Sequence, residues 1–182
     1  MRILWFLSIS LILFSCVPSS RLYQPGNDAE GELFKKSRKD VLPNDIRNHP
    51  DEFTGQLVHW VGIIDSSWVH SQNDTSTIWI LGDQKYWDYI EDFSIQTEHF
   101  FLSPIGEGHF LSTKSYPGLT ADSLTALYAT VADKGNLGMF YGIVKGVSDN
   151  VPVLGQTRIR FIPGKYFTTK IFQYDVARDS LA

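Results

Sequence analysis

Three carboxylates stand close together in a stretch otherwise crowded with aromatic rings. Asp88, Glu91 and Asp92, with Asp83 upstream, are interleaved with Tyr86, Trp87, Tyr89 and Phe93. If residues 85–93 wind as a helix, Asp88, Glu91 and Asp92 fall at i, i+3 and i+4 and share one face. Oxygen ligands so placed can hold a hard cation such as calcium, and paired carboxylates can act as acid and base on a glycosidic bond. The loop spacing of an EF-hand is absent, however, and a solvated acidic face explains the same residues without a metal. The rings carry more. Together with Trp60, Trp68 and Trp79 they form a large aromatic set, most of which is expected to fill a core. Trp87 and Tyr89, and with them Tyr86, lie in an irregular segment. They are the rings expected to stay exposed and to stack on flat ligands such as sugars or bases.

The remaining reactive types form no constellation. The histidines are His49, His59, His70, His99 and His109, none at the i, i+2 or i, i+4 spacing of common metal motifs. Strands bringing His59 and His99 together remain open; solvent-facing strand histidines are the plainer expectation. Ser103-Pro104-Ile105-Gly106-Glu107-Gly108 suggests a phosphate loop only superficially, lacking GxxxxGK[ST] and GxGxxG, and is expected to be a hairpin turn. No GxSxG elbow is present. Asn73-Asp74-Thr75 fits a glycosylation sequon, as many chance triplets do. No cofactor is implied. Composition narrows the classes: 43% hydrophobic and 20% charged residues describe a globular chain rather than a disordered one. A formal net charge of −4 argues against a phosphate-binding surface, so nucleic acid is not expected as a partner. A single cysteine excludes an internal disulfide framework and multi-cysteine metal sites.

That cysteine sits where it is most informative. Met1-Arg2 is followed by an apolar run from Ile3 to Phe14, then Ser15-Cys16. A basic start, a short apolar stretch and a small residue at the cut form an export signal, too short to span a bilayer. Leu13-Phe14-Ser15-Cys16 resembles the lipobox of bacterial lipoproteins, with Phe14 larger than the usual residue there. The resemblance implies cleavage before Cys16, acylation of its thiol, and a membrane partner held through acyl chains, including palmitate; several chains together anchor stably. Val17 after the cysteine, in place of aspartate, points to the outer membrane in enterobacteria-like sorting. The expected organisation is a signal peptide over 1–15, a lipidated tether over 16–48, and one domain over 49–182. Pro18, Ser19, Ser20, Pro25, Gly26, Asn27 and Asp28 read as tether residues. Lys35, Lys36, Arg38 and Lys39, flanked by Glu30, Glu32 and Asp40, read as a solvated charge run more readily than as a lipid-binding patch.

The domain reads as mainly β. A long strand over residues 56–64, with Gly62 permitting a bend, continues through Ser66–His70. A turn at Gln72-Asn73-Asp74-Thr75, a strand over 76–81, an insertion over 83–96, a strand over 97–103 and a short one over 109–113 follow. One helix is expected over 120–135, capped by Thr120 or Asp122 and apolar at Leu124, Leu127, Tyr128 and Val131. Strands over 138–147, 157–162 and 166–176 complete the chain. This order predicts a small antiparallel OB-like β-barrel with one helix between strands three and four; another curved barrel or sandwich with a packed helix is the alternative.

Pro50-Asp51-Glu52-Phe53-Thr54-Gly55-Gln56-Leu57-Val58-His59-Trp60-Val61-Gly62-Ile63-Ile64 resembles the opening of the starvation-inducible outer-membrane lipoprotein family, with Val61 where a second glycine is expected. The resemblance implies location more than chemistry. The reading is a non-catalytic binding or structural module of the envelope, partnered by an envelope protein or polysaccharide. The competing reading is an envelope metal-dependent hydrolase using the acidic cluster at 83–92.

Overall fold

The computed structural model describes residues 23, 25–92 and 97–162, with 88–92 and 97–101 described by their backbone. Among the described residues three short helices come first: α1 (Asp28–Lys36), α2 (Pro43–Asn48) and α3 (Pro50–Phe53). Strands β1 (Leu57–Gln72), β2 (Thr75–Gln84), β3 (Trp87–Asp92), β4 (Thr97–Leu102) and β5 (Gly108–Pro117) follow. Helix α4 (Ala121–Tyr128) then leads to β6 (Leu137–Ser148) and β7 (Val151–Ile162).

Five strands close into a ring in the order β1-β2-β5-β7-β6, while β3 and β4 pair separately as a hairpin. The sheet is mixed, not antiparallel throughout. β5 and β7 run parallel at Leu111↔Val153 and Ser112↔Leu154, and this contact closes the ring. β1 serves both sides of it, pairing β6 over Leu57–Ile63 and β2 over Gly62–Gln72. Its bend is a bulge between Ile64 and Ser66, not a kink at Gly62. Gly62 answers a packing demand instead: a Cβ there would lie 2.9 Å from a Phe110 ring atom and 3.0 Å from the Asp83 carbonyl oxygen. Gly82 meets the same ring from β2, where a Cβ would lie 2.7 Å from it, and β2 runs through this glycine to Gln84 rather than ending at it.

Inside the ring lie Val58, Trp60, Ile64, Ile78, Ile80, Phe110, Phe140, Val144 and Leu154, joined by Ile46 of α2, Phe53 of α3 and Leu124 of α4. Trp60 Nε1 donates to the Val41 carbonyl at 2.8 Å, satisfying its one polar atom. A second apolar cluster lies on the other face of β1 and β6, where Val61, Leu137, Met139 and Tyr141 pack with Tyr23, Leu102 and Ile162. Leu33 and Phe34 of α1 and Trp87 of β3 close over it. The first half of β1 is therefore covered on both faces, as its unbroken apolar run implies.

The second cluster changes the account of the leading segment. Residues 23–48 do not all run as a tether: α1 and α2 pack onto the ring, and Ile46 and Val41 are fully buried. Asn27, a linker residue by type, is the N-cap of α1, its side chain accepting from the Glu30 N–H at 3.0 Å. Among the described residues the expected single helix is thus joined by three others. That helix ends at Tyr128 rather than at Gly135; Leu124 is buried, but Leu127 of the expected stripe is 59% exposed. The strand expected over 97–103 belongs to the inserted hairpin, and the third ring strand is Gly108–Pro117. The strand expected over 166–176 lies outside the described residues.

Candidate functional site

Beyond the bulge, the outer face of β1 becomes wet. A two-residue turn with positive φ at Asn73 (47°) and Asp74 (57°) joins β1 to β2 and sets the register between them. Trp68 thereby stands opposite Trp79, and His70 opposite Thr77. On the next strand Trp79 faces Thr113, and Thr77 faces Ser115. The two indoles lie parallel, 8° apart in plane and 6.2 Å between centroids. Trp68 is 45% exposed, the half-buried Trp79 beside it. Next to the pair a groove of about 360 Å³ is lined by His70, Gln72, Asn73, Thr75, Thr77 and Trp79. Apart from the indole its lining is polar, with no Asp, Glu, Lys or Arg. The Thr77 and Ser115 hydroxyls hydrogen-bond at 2.8 Å.

A second concentration of functional groups is locked into packing. The Glu30 carboxylate, buried under α1, accepts from the Tyr23 hydroxyl at 2.6 Å, the Tyr141 hydroxyl at 3.0 Å and the Gly26 N–H at 2.7 Å. Arg160 stands 3.9 Å from Glu30 and donates to Tyr23. Burial, reinforced by Glu30, pushes the Tyr23 phenol above its ordinary range, and burial does the same to Tyr141. His59 stacks on Tyr141 at 4.7 Å and meets Phe34 and Trp87 edge-on. Its Nε2 is buried with no hydrogen-bond partner. Burial, and secondarily the charge of Lys39, pushes its pKa down to about 3, so it is a neutral imidazole at physiological pH.

The sequence-derived candidates distribute as follows. Trp87 is half-buried, edge-on to Tyr23 at 5.5 Å and to His59 at 5.6 Å, in the cluster beneath α1. Tyr86 is 40% exposed and donates to Glu107. The side chain of Tyr89 lies outside the described residues. Trp60 is core. The segment carrying Asp88, Glu91 and Asp92 is strand, not helix, so the i, i+3, i+4 argument for one shared face does not apply; their side chains lie outside the described residues. Asp83 pairs with Lys85 at 2.6 Å. Among the described residues no three His, Cys, Asp or Glu side chains are grouped to hold a metal. His109 bonds Asp65 at 2.6 Å on the surface, His49 and His70 are exposed, and the His99 side chain is outside the description. The loop from Ser103 to Glu107 is not a phosphate cradle. It connects β4 to β5 and is seated on β2, with the Glu107 N–H donating to Gln84 Oε1 at 2.7 Å and Gly106 pressed on the Gln84 backbone. The basic cluster is spent internally: Lys35 and Lys36 pair with Glu32, Arg38 with Asp40, and Lys39 donates to the Phe34 and Ser37 carbonyls at the end of α1. Cys16 lies outside the described residues. Among the described residues no helix is long and apolar enough to cross a membrane.

No protein-family model matches this chain, and no curated protein does. The resemblance to the starvation-inducible lipoproteins therefore stands on residues 50–64 alone, which here form α3 and the first half of β1. Among solved structures the chain is similar to a "putative nucleic acid-binding lipoprotein" from Klebsiella pneumoniae subsp. pneumoniae MGH 78578. The identity is 15% and the TM-score 0.39, over 75% of this chain and 99% of that one. One expectation is corrected by this match: net charge and an export signal were grounds for excluding nucleic acid, yet the matched lipoprotein is itself described as nucleic acid-binding. Net charge is a property of the whole chain and does not decide what one face can hold.

Proposed function

We propose that this chain is a lipid-anchored, non-catalytic binding module of the bacterial envelope, and that its ligand sits on the outer face of β1, β2 and β5. The observation carrying the reading is the parallel, solvent-facing pair Trp68 and Trp79 beside a polar groove. Large exposed rings are costly to leave wet and are natural platforms for flat ligands. The ring order supports the same reading. First, second, third, fifth and fourth strands close in that sequence, with α4 between third and fourth and the β3–β4 hairpin inserted after the second. That is the order of an OB barrel, whose second and third strands present the usual binding face. Nor do the buried titratable groups argue for catalysis: Glu30, Tyr23, Tyr141 and His59 hold α1 down and do not line the groove.

The anchor rests on Leu13-Phe14-Ser15-Cys16, with the outer membrane as the destination that Val17 favours. Labelled palmitate fed to expressing cells, beside a Cys16→Ala control, tests it. Label in the membrane fraction that disappears in the control is expected; unlabelled protein free in the periplasm or medium would refute the anchor.

A further inference from the structure

The groove beside Trp79 discriminates between ligand chemistries. Its six lining residues offer two amides, two hydroxyls, one imidazole and one indole ring, and include no Asp, Glu, Lys or Arg. Amides and hydroxyls each donate and accept, matching vicinal hydroxyls that do both. An indole face is electron-rich and attracts the polarised C–H bonds of a sugar ring. The volume of about 360 Å³ lies at the small end of the roughly 300–1,000 Å³ usual for ligand sites, suiting a short segment rather than a large cofactor. Trp68, parallel to Trp79 on the adjoining strand, extends the aromatic surface across β1 and β2.

We infer that this groove binds an uncharged oligosaccharide, with one sugar ring stacked on Trp79 and its hydroxyls bonded by Gln72, Asn73, Thr75 and Thr77. The inference rests on the proposed binding face and names its ligand class. The test is tryptophan emission of the detergent-solubilised full-length chain, titrated in parallel with chitotetraose, with maltotetraose and with a single-stranded oligodeoxynucleotide. A saturable emission change with at least one of the saccharides is expected, weakened at least tenfold by Trp79→Ala. Gln72 is exposed at the rim, so Gln72→Ala keeps the test valid if Trp79→Ala unfolds; it is expected to weaken binding several-fold with an unchanged melting temperature. No response to either saccharide at tens of millimolar overturns the inference. A response to the oligonucleotide alone, lost in Trp79→Ala, overturns the ligand class while leaving the binding face standing. Saccharide binding untouched by both substitutions would place the ligand elsewhere and overturn the groove.

Discussion

Single side chains at this site divide between those that hold the ring and those that hold nothing visible, and stability measurements separate the two. Phe110 fills the ring centre against two glycines, so Gly82→Ala forces a Cβ to within 2.7 Å of its ring. Overpacking of that kind costs about 1–3 kcal/mol, read as a lowered denaturant midpoint with unchanged slope. His59 makes a pH prediction. Its pKa is near 3 in the folded chain and ordinarily near 6.5, so the folded state binds fewer protons between those values. Its contribution is complete above pH 6.5 and is lost as pH falls toward 3, at up to about 1.4 kcal/mol per pH unit. Against wild type, His59→Phe is expected to show a shallower fall in stability between pH 6.5 and 4.5; identical slopes would contradict the buried neutral imidazole. The tryptophan platform was legible only in part. The turn at Asn73-Asp74 is readable from residue type and places residues equidistant from it opposite each other, which pairs Trp68 with Trp79. The bulge between Ile64 and Ser66 was not readable, and it decides that Trp68 faces outward.

Elements outside the ring carry the largest departures from the sequence reading. α1 was hidden because its apolar content is small: Leu33 and Phe34 supply the contact, with Tyr23 from outside the helix. What fixes α1 is polar, the Glu30 carboxylate gathering two tyrosine hydroxyls and a backbone N–H. Glu30→Ala leaves those donors buried without an acceptor, and about 1–3 kcal/mol is expected for each group so orphaned. Hydrogen exchange should show α1 and the β1–β6 outer face opening together in this variant, while β2 and β5 keep their protection. The hairpin β3–β4 departs from the sequence expectation for a different reason. Tyr86 to Phe93 mixes aromatics with acids in a way that fits a helix face or a strand equally, and only pairing with β4 decides. Strand β7 was read short because Pro152 and Gly155 punctuate it, yet Pro152 lies near its start and Gly155 beside a register shift, where both are tolerated.

At the scale of the whole molecule, the packed α1 shortens the leash. Tyr23 is fixed beneath α1, and seven residue steps separate it from Cys16, a span of at most about 25 Å. An anchored chain would thus hold its ring close to the bilayer, not at the end of a thirty-residue tether. Energy transfer from a dye at exposed Ala29 to acceptors in the headgroup layer is expected to be strong, and to fall when twenty Gly/Ser residues are inserted after Ser20. The central claim is that the Trp68–Trp79 face exists for a ligand rather than for the fold, and Trp68→Ala tests it most directly. The account predicts a loss of about 1 kcal/mol or less in unfolding free energy, the size of an exposed aromatic pair, together with weakened ligand binding. A loss of about 3–5 kcal/mol, as for a tryptophan taken from a core, would contradict it and make the pair a structural element.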